Sequence, residues 1–592
     1  MRVLLKLINF LSLEERKQAG ILVFMAAVMA IIDVAGVVSI MPFIAVVTNP
    51  DLVQTNDFLN SAYRYFDFSS IQDFQFAFGG LVFVGLLVSL VLKALTNFLQ
   101  LNFILMREYT ISKGLVQRYL AQRYIWFTSR NSSDIGKVVL SEVSAVTQNG
   151  FIPLMTVISQ GLVVLFLIAL LMIVDVQLAT IIGLTLSIAY LAVYKVVSRI
   201  LGRLGIERLS ANKQRFKVVG EAFGGYKEVK SGGLEDFFIH RFISPSRIYA
   251  GHQAVSQIVG QLPRYLLEGV TFGGMLLLIL YLLARGNDFI EVLPIVALYA
   301  VAGYRLLPAL QNVYRALTQL RFIGPAVDAL HADWMLDQKV SRGRSCTEKI
   351  KLEESLRLKN ISYGYPGREA LVLKNVSVTI KIGKTVGVVG ESGSGKTTLV
   401  DLIQGLLEPT NGEFYIDGKI IALSDNTSWK RLIGYVPQKP YLADATLAEN
   451  IAFGIDPIDI DIVAVERAAK LANLHEFVTS DLPDGYDTNV GERGVRFSGG
   501  QLQRVAIARA LYHDPQILLF DEATGALDKL TENNVMDAVK KIGGDKTVIV
   551  IAHRLSAIQF CDEFIFLVNG EVAARGTFDE LVHDNKGFRA LI

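Results

Sequence analysis

Cysteine is nearly absent: Cys346 and Cys561 are the only two in 592 residues. They provide no disulfide framework and no metal-ligand spacing, as expected of a reduced cytosolic face. Charge is scarce as well. Lys, Arg, Asp and Glu make up 19% of the chain and the net charge is +2, so bulk charge gives no sign of a nucleic-acid partner. The start, Met1-Arg2-Val3-Leu4-Leu5-Lys6 followed by Leu13-Glu14-Glu15-Arg16-Lys17, lacks a small-residue cleavage site. Residues 1–18 therefore read as an interfacial entry helix rather than a signal peptide. What is abundant is apolar: 52% of residues are hydrophobic, which points to membrane spans. The length exceeds what one core can organise, so at least two domains are expected.

Six apolar segments are long enough to cross hydrocarbon: 19–48, 74–106, 150–174, 176–202, 255–285 and 288–317. A short turn near Asp175 joins the third to the fourth, and one near Asn287 joins the fifth to the sixth. The stretches 107–149 and 203–254 are rich in Lys and Arg, whereas 49–73 carries Arg64 against Asp51, Asp57, Asp67 and Asp73. The positive-inside rule places both termini and both long stretches in the cytoplasm. Spans that outlast the bilayer continue as helices there, and tips near 124–136 and 222–233 are expected to touch a soluble domain. Pro42 and Pro308 are expected to kink the first and last spans.

Ionisable groups inside the spans argue against a plain anchor: Asp33, Lys93, Arg264, Glu268 and Arg305. At 1.5 Å per residue, Lys93, Arg264 and Arg305 all fall roughly 25–30 Å below the outer surface. A cationic ring at one level suits an anionic substrate group such as a phosphate. Two other readings stay open. Each long side chain snorkels to the inner headgroups, or Arg264 pairs with Glu268 one turn on. Asp33 reads as a bundle-facing polar contact.

Apolar content falls and charge rises around 332–356. The chain thus divides into an entry helix 1–18, a six-span all-α membrane domain 19–330, a linker 331–355 and a soluble α/β domain 356–592. Leu356–Tyr363 alternates like an edge strand. Thr385–Val389, Gln516–Phe520 and Thr547–Ile551 read as buried parallel strands with an antiparallel flank.

Gly390-Glu391-Ser392-Gly393-Ser394-Gly395-Lys396-Thr397-Thr398 fits the phosphate-loop pattern between an apolar strand and a helix-like run, Thr398–Gly405. Its glycines let backbone N–H groups wrap phosphate oxygens at the head of a helix dipole. Lys396 can add a point charge on the β- and γ-phosphates, and the Thr397 hydroxyl can ligate Mg²⁺. Asp521 ends an apolar strand, where a carboxylate can hold Mg²⁺. Glu522 follows and can polarise a water against the γ-phosphate. Gln438 lies in a turn-like context within reach of metal or water. His553 ends another apolar strand, in position to hydrogen-bond the γ-phosphate. Ser498-Gly499-Gly500-Gln501 precedes an amphipathic helix, Leu502–Tyr512, and forms a second anion-binding end. Two such ends in one chain suggest a site shared between two copies.

With these motifs in place, the chain resembles an ATP-binding-cassette half-transporter of the exporter type along nearly its whole length. The resemblance implies ATP and Mg²⁺ as cofactors. It assigns Walker A to 390–397 and Walker B to 517–521, with Glu522 as the catalytic carboxylate. It also assigns the Q-loop to Gln438, the H-loop to His553, the D-loop to Asp528 and adenine stacking to Tyr365. Gly491-Glu492-Arg493-Gly494 resembles the exporter X-loop. Two positions depart from the family: Phe497 replaces the usual Leu of the signature, and Gly525 the usual Ser of the D-loop. A narrower resemblance is to bacterial lipid-linked oligosaccharide flippases of protein glycosylation. It rests on Val38–Ile44, Pro263–Gly269, Ala297–Tyr299 and Tyr304–Pro308. It implies a multi-pass protein of the bacterial inner membrane, working as a homodimer, with Lys93, Arg264 and Arg305 on a lipid pyrophosphate. Export of a peptide, drug or plain lipid, and a non-transporting membrane ATPase that regulates a partner, are the alternative functions.

Overall fold

The computed structural model describes residues 2–174, 176–262, 289–336, 350–368, 370–423, 426–491, 494–522, 546–551 and 559–590, with isolated positions 269, 273, 276, 536, 537, 539 and 540. Two compact units emerge: residues 1–120 with 130–337, and residues 121–129 with 338–592.

The N-terminal unit is helical. Its main elements are α1 (Arg2–Asn9), α2 (Leu13–Val38), α3 (Ile40–Thr48), α4 (Ile71–Leu120), α5 (Ile152–Val174), α6 (Val176–Gly224), α7 (Glu235–Val259) and α8 (Phe289–Trp334). Helix α2 starts where Ser12 and Glu15 form a capping box, several residues before the expected span at 19. The break between α2 and α3 falls at Ser39, three residues ahead of Pro42, which has no N–H to donate back to Val38. By contrast α8 runs through Pro308 as one helix. Among the described residues, three stretches are long and apolar enough to cross a membrane: Leu13–Thr48, Ile71–Leu120 and Ser132–Val174. Most of the expected fifth span, with Arg264 and Glu268, lies outside the described residues.

Side-chain exposure supports the membrane reading. Leu81, Phe83, Val91 and Phe98 on α4 are all more than half exposed, an arrangement water would not tolerate on so long an apolar helix. The inward faces of α2, α5 and α8 share a core of Ala30, Val37, Leu167, Leu298 and Ala302. Polar ties lie at the helix extensions. Arg107 of α4 pairs with Glu15 of α2. Lys6 of α1 reaches Asp328 of α8 at 2.7 Å, and Phe10 packs edge-on against Trp334. Before α5 the chain makes two π-helical turns, Lys137–Glu142 and Thr147–Phe151. The first sets Glu142, fully buried, against Arg208 and Asn212 of α6, each at 2.7 Å.

The C-terminal unit holds two sheets. One is antiparallel, in the order β2-β1-β4-β5, from β1 (Ser355–Tyr363), β2 (Leu373–Lys381), β4 (Asn411–Ile416) and β5 (Lys419–Ile420). The other has the order β10-β9-β3-β8-β7-β6, from β3 (Thr385–Gly390), β6 (Ile433–Val436), β7 (Ile517–Asp521), β8 (Thr547–Ile551), β9 (Glu563–Val568) and β10 (Glu571–Gly576). Its β9-β3-β8-β7-β6 portion is parallel and β10 is its antiparallel flank. Every residue of β3, β7 and β8 is buried, as apolar runs in a doubly covered parallel sheet require. The expected edge strand is corrected. β1 pairs with β2 on one side and β4 on the other, so it is interior to its sheet. Alternation reports a half-buried strand, not whether both of its edges are taken.

This unit also reaches beyond the boundary expected at 356. Leu352 is buried in its core, and the Leu352 N–H donates to Gln516 Oε1 at 3.0 Å. The short helix Tyr124–Thr128 belongs to this unit too: Ile125 packs on the same core and Arg123 pairs with Glu408 at 2.8 Å.

Candidate functional site: a nucleotide cleft and an intramembrane charge cluster

Strand β3 delivers the chain to the loop at Gly390. A Cβ there would lie 2.2 Å from the carbonyl oxygen of Leu567, so only glycine fits beside β9. Gly395 holds φ 102°, and from it helix α9 (Lys396–Ile403) starts, two residues earlier than the sequence suggests. Lys396 is buried and folds back over the loop, donating to the carbonyls of Gly390 and Glu391 at 2.9 Å each. Burial lowers the affinity of its amine for the proton, while Glu522 and Asp521 act in the opposite sense. The ammonium thus sits within electrostatic reach of both carboxylates. Ser394 and Thr398 are buried, and Thr397 and Ser392 are exposed at the mouth. Tyr365 meets the Thr398 hydroxyl at 3.2 Å, so its ring stands beside the loop.

Asp521 closes β7 and is 8% exposed. Glu522 follows with φ 49°, and its N–H donates to Ile551 of β8 at 3.1 Å. A non-glycine residue in the left-handed region costs about 1 kcal/mol or more, and such strain gathers at functional positions. The twist turns the Glu522 carboxylate toward Gln438, whose Nε2 donates to Oε2 at 2.7 Å. Two residues missed in the sequence complete the floor. The Tyr435 hydroxyl donates to Asp521 Oδ2 at 3.3 Å. Asp401 on α9 is pushed up to about 6, first by burial and then by Asp521. Each carried a faint signal: Tyr435 alternates with buried residues on β6, and Asp401 is the one carboxylate on α9, a turn from Thr397.

Ser498 caps helix α10 (Gly499–Leu511). Its N–H donates to Gln501 Oε1 at 2.7 Å, and its Oγ accepts from the Gln501 N–H at 3.3 Å. That capping box explains why the helix begins three residues before Leu502. Phe497 packs edge-on to Phe477 at 6.0 Å and lies on the main core, so this replacement keeps an apolar anchor under the cap. Gln503 ties the same helix to Pro437, next to Gln438, at 3.2 Å. Among the described residues, no hydrogen bond joins Ser498, Gly499, Gly500 or Gln501 to the phosphate loop. His553, Asp528, Gly525, Glu492 and Arg493 lie outside the described residues.

In the N-terminal unit the charged residues of the spans meet. Asp33 of α2 is 3% exposed. It accepts from Arg305 Nη1 of α8 at 2.5 Å, from Lys93 Nζ of α4 at 2.9 Å and from Ser89 Oγ at 3.3 Å. Lys93 and Arg305 therefore stand at one level, on a shared carboxylate. Arg264 lies outside the described residues.

A phosphate loop with a buried lysine beside paired carboxylates on a parallel sheet, joined in one chain to membrane-crossing helices, defines a membrane-bound nucleotide hydrolase. Comparison with known proteins narrows this. The ABC transporter family model matches residues 373–525, and that of the ABC transporter transmembrane region matches residues 20–246. The ATP-dependent lipid A-core flippase of Ralstonia nicotianae is 32% identical over 485 residues, covering 80% of each chain. The heterocyst differentiation ATP-binding protein HepA of Nostoc is 29% identical, covering 80% of this chain and 76% of that one. Some further relatives are matched over only 18% of their own length. A bacterial Atm1-family ABC exporter with ATP bound shares the fold at a TM-score of 0.78, with 23% identity across 96% of this chain and 98% of that one. The chain belongs to the ABC transporters, as a half-transporter of the exporter class: a multi-pass membrane protein that hydrolyses ATP to drive transport.

Proposed function

We propose that this half-transporter is an ATP-driven flippase for an amphipathic anionic lipid, with a pyrophosphate-linked oligosaccharide lipid as the cargo that fits best. The observation that carries the reading is the meeting of Lys93 and Arg305 on Asp33 inside the hydrocarbon-spanning helices. Cations at that depth are costly and are kept where they meet an anion. The named activity of the Ralstonia relative, a lipid A-core flippase, lends support to a lipid cargo.

The working unit is a homodimer in the inner membrane of a bacterium, with both termini cytoplasmic. Each ATP lies between the phosphate loop of one copy and Ser498–Gln501 of the other. Lys396 and the loop N–H groups bind the phosphates, and Tyr365 takes the adenine. The oxygen donors of Thr397 and Asp521 fit a hard divalent cation, and Gln438 borders the same place. Mg²⁺ bound there supplies neutralisation of phosphate charge. Glu522, oriented by Gln438, takes the proton of the attacking water, and His553 and Asp528 complete the cleft. Charge-assisted binding of ATP brings the two copies together, and hydrolysis parts them.

The test uses purified protein in vesicles. ATP turnover and flipping are measured with a polyprenyl diphosphate glycolipid and with the matching neutral lipid. The reading expects stimulation by the diphosphate lipid that Lys93→Ala and Arg305→Ala abolish. Equal stimulation by both lipids, or stimulation untouched by the two substitutions, would remove the anionic cargo.

A further inference from the structure

Asp33 is more than a partner for two cations. Ser89 and Lys93 stand one turn apart on α4, so both present to the same point of α2. The two cations that hold the carboxylate differ. The Arg305 side chain is 22% exposed, and that of Lys93 is 49% exposed. Lys93 and Asp33 also line a cavity of about 440 Å³ between α2, α4 and α5, with Thr96, Asn97, Gln100 and Ser159. Gln100 is 8% exposed, and among the described residues its amide Nε2 has no hydrogen-bond partner. A buried donor without an acceptor is unfavourable. It lines the same cavity as the freer of the two cations. Together Asp33, Lys93 and Arg305 leave the cluster with one net positive charge.

We propose that Asp33 is a built-in stand-in for a phosphate. It holds Lys93 until an anionic lipid headgroup enters the cavity, and then Lys93 turns to the headgroup while Asp33 keeps Arg305 and Ser89. The side chains suit the division of labour. A lysine ammonium on its flexible stem can swing between two anions, whereas the less exposed, stiffer guanidinium of Arg305 stays on Asp33. No buried charge is left alone during the exchange, which is what makes it feasible in low dielectric. The free amide of Gln100 supplies a donor for a headgroup oxygen. By cancelling one of the two cations, Asp33 also limits how tightly the anion is held. A translocated group must bind well enough to enter and weakly enough to leave.

The inference rests on the anionic-lipid reading for the nature of the headgroup, and the experiment separates the two. Binding of a short-chain polyprenyl diphosphate and of its neutral alcohol is measured by calorimetry on the full-length protein. Asp33→Asn is expected to bind the diphosphate about tenfold more tightly, the order produced by one added charge at intermediate dielectric, with the alcohol unchanged. Maximal flipping should fall as release slows. Asp33→Asn with Lys93→Gln restores the net charge and is expected to return affinity to near the parental value. Asp33→Glu keeps the carboxylate and should shift affinity far less than Asp33→Asn. Unchanged or weaker diphosphate binding in Asp33→Asn, or a double variant as tight as the single one, would overturn the assignment. If Asp33→Asn does not fold, Lys93→Gln alone decides: it leaves the Asp33–Arg305 pair intact, so diphosphate affinity should fall about tenfold, and no change rejects the exchange. A parental protein that binds diphosphate no better than alcohol defeats the cargo reading. Asp33 then keeps its role only if Asp33→Asn acquires a preference for the anion, and loses it otherwise.

Discussion

The nucleotide cleft and the intramembrane cluster are both built from charges withdrawn from water, but they are assembled in opposite ways. The cleft takes its phosphate loop from nine consecutive residues, Gly390–Thr398, and its carboxylates from two adjacent ones, Asp521 and Glu522. The intramembrane cluster takes one charged residue each from α2, α4 and α8, with Lys93 and Arg305 lying 60 and 272 positions from Asp33. In the proposed nucleotide site, phosphate is to be received by backbone N–H groups and a helix end, so glycine placement decides the geometry. In the membrane, helices satisfy their own backbone and only side chains are left to interact. A contiguous motif is the natural product of the first situation and a dispersed one of the second.

The sharpest break between the regions is Glu522→Gln. Turnover should fall about 10²-fold or more, while nucleotide binding, measured separately, persists. A loss smaller than tenfold would move the proton-accepting role to another group. Next comes a test of burial without chemistry. Arg208→Ala leaves Glu142 buried and short of its charge partner, and should destabilise the N-terminal unit by about 3–5 kcal/mol in thermal unfolding. Replacing both by apolar residues of similar size should be far milder, and equal losses would contradict the pairing.

Two glycines sharpen the comparison at a smaller scale. A Cβ at Gly390 or at Gly205 would lie 2.2 Å from a carbonyl oxygen, that of Leu567 or of Phe322. Both alanine variants should lose about 1–3 kcal/mol. Gly390→Ala should also impair ATP binding, whereas Gly205→Ala, at the packing of α6 on α8, should spare it. Asp401 gives a pH effect. Its folded pKa of about 6 exceeds the usual Asp value, so charging it opposes folding above that pH. The penalty fades as pH falls and is gone below about 4. Asp401→Asn should therefore stabilise the nucleotide-free protein by on the order of 1–2 kcal/mol at pH 8 and by nothing at pH 4. Unfolding curves at several pH values check the sign. The smallest effect is Arg123→Ala. Its exposed pair with Glu408 should contribute about 0.2–1 kcal/mol, and that difference should shrink in high salt.

Local chemistry explains what could be read in advance. The strands β3, β7 and β8 were legible because a doubly covered strand must be apolar throughout. The phosphate loop was legible because only its residue types can make that turn. Helix starts were displaced at Leu13 and Gly499 because polar caps extend a helix beyond its apolar run, and at Lys396 because the helix turns directly out of the left-handed Gly395. Tyr435 and Asp401 escaped notice because an isolated polar residue on an element says nothing of what the next strand brings beside it. Asp33 was legible as a polar contact inside the bundle, yet its partners were not, since three helices had to be packed before they met.

The amino-acid order alone fixed a membrane half followed by an α/β nucleotide-binding half, because hydrophobic length and phosphate-loop chemistry are local properties. Tertiary structure alone decided that β1 lies inside its sheet, that Gln438 orients Glu522, and that Asp33 gathers Lys93 and Arg305. Strand neighbours and buried ion pairs join distant parts of the chain, and they exist only once packing has excluded water from the space between them.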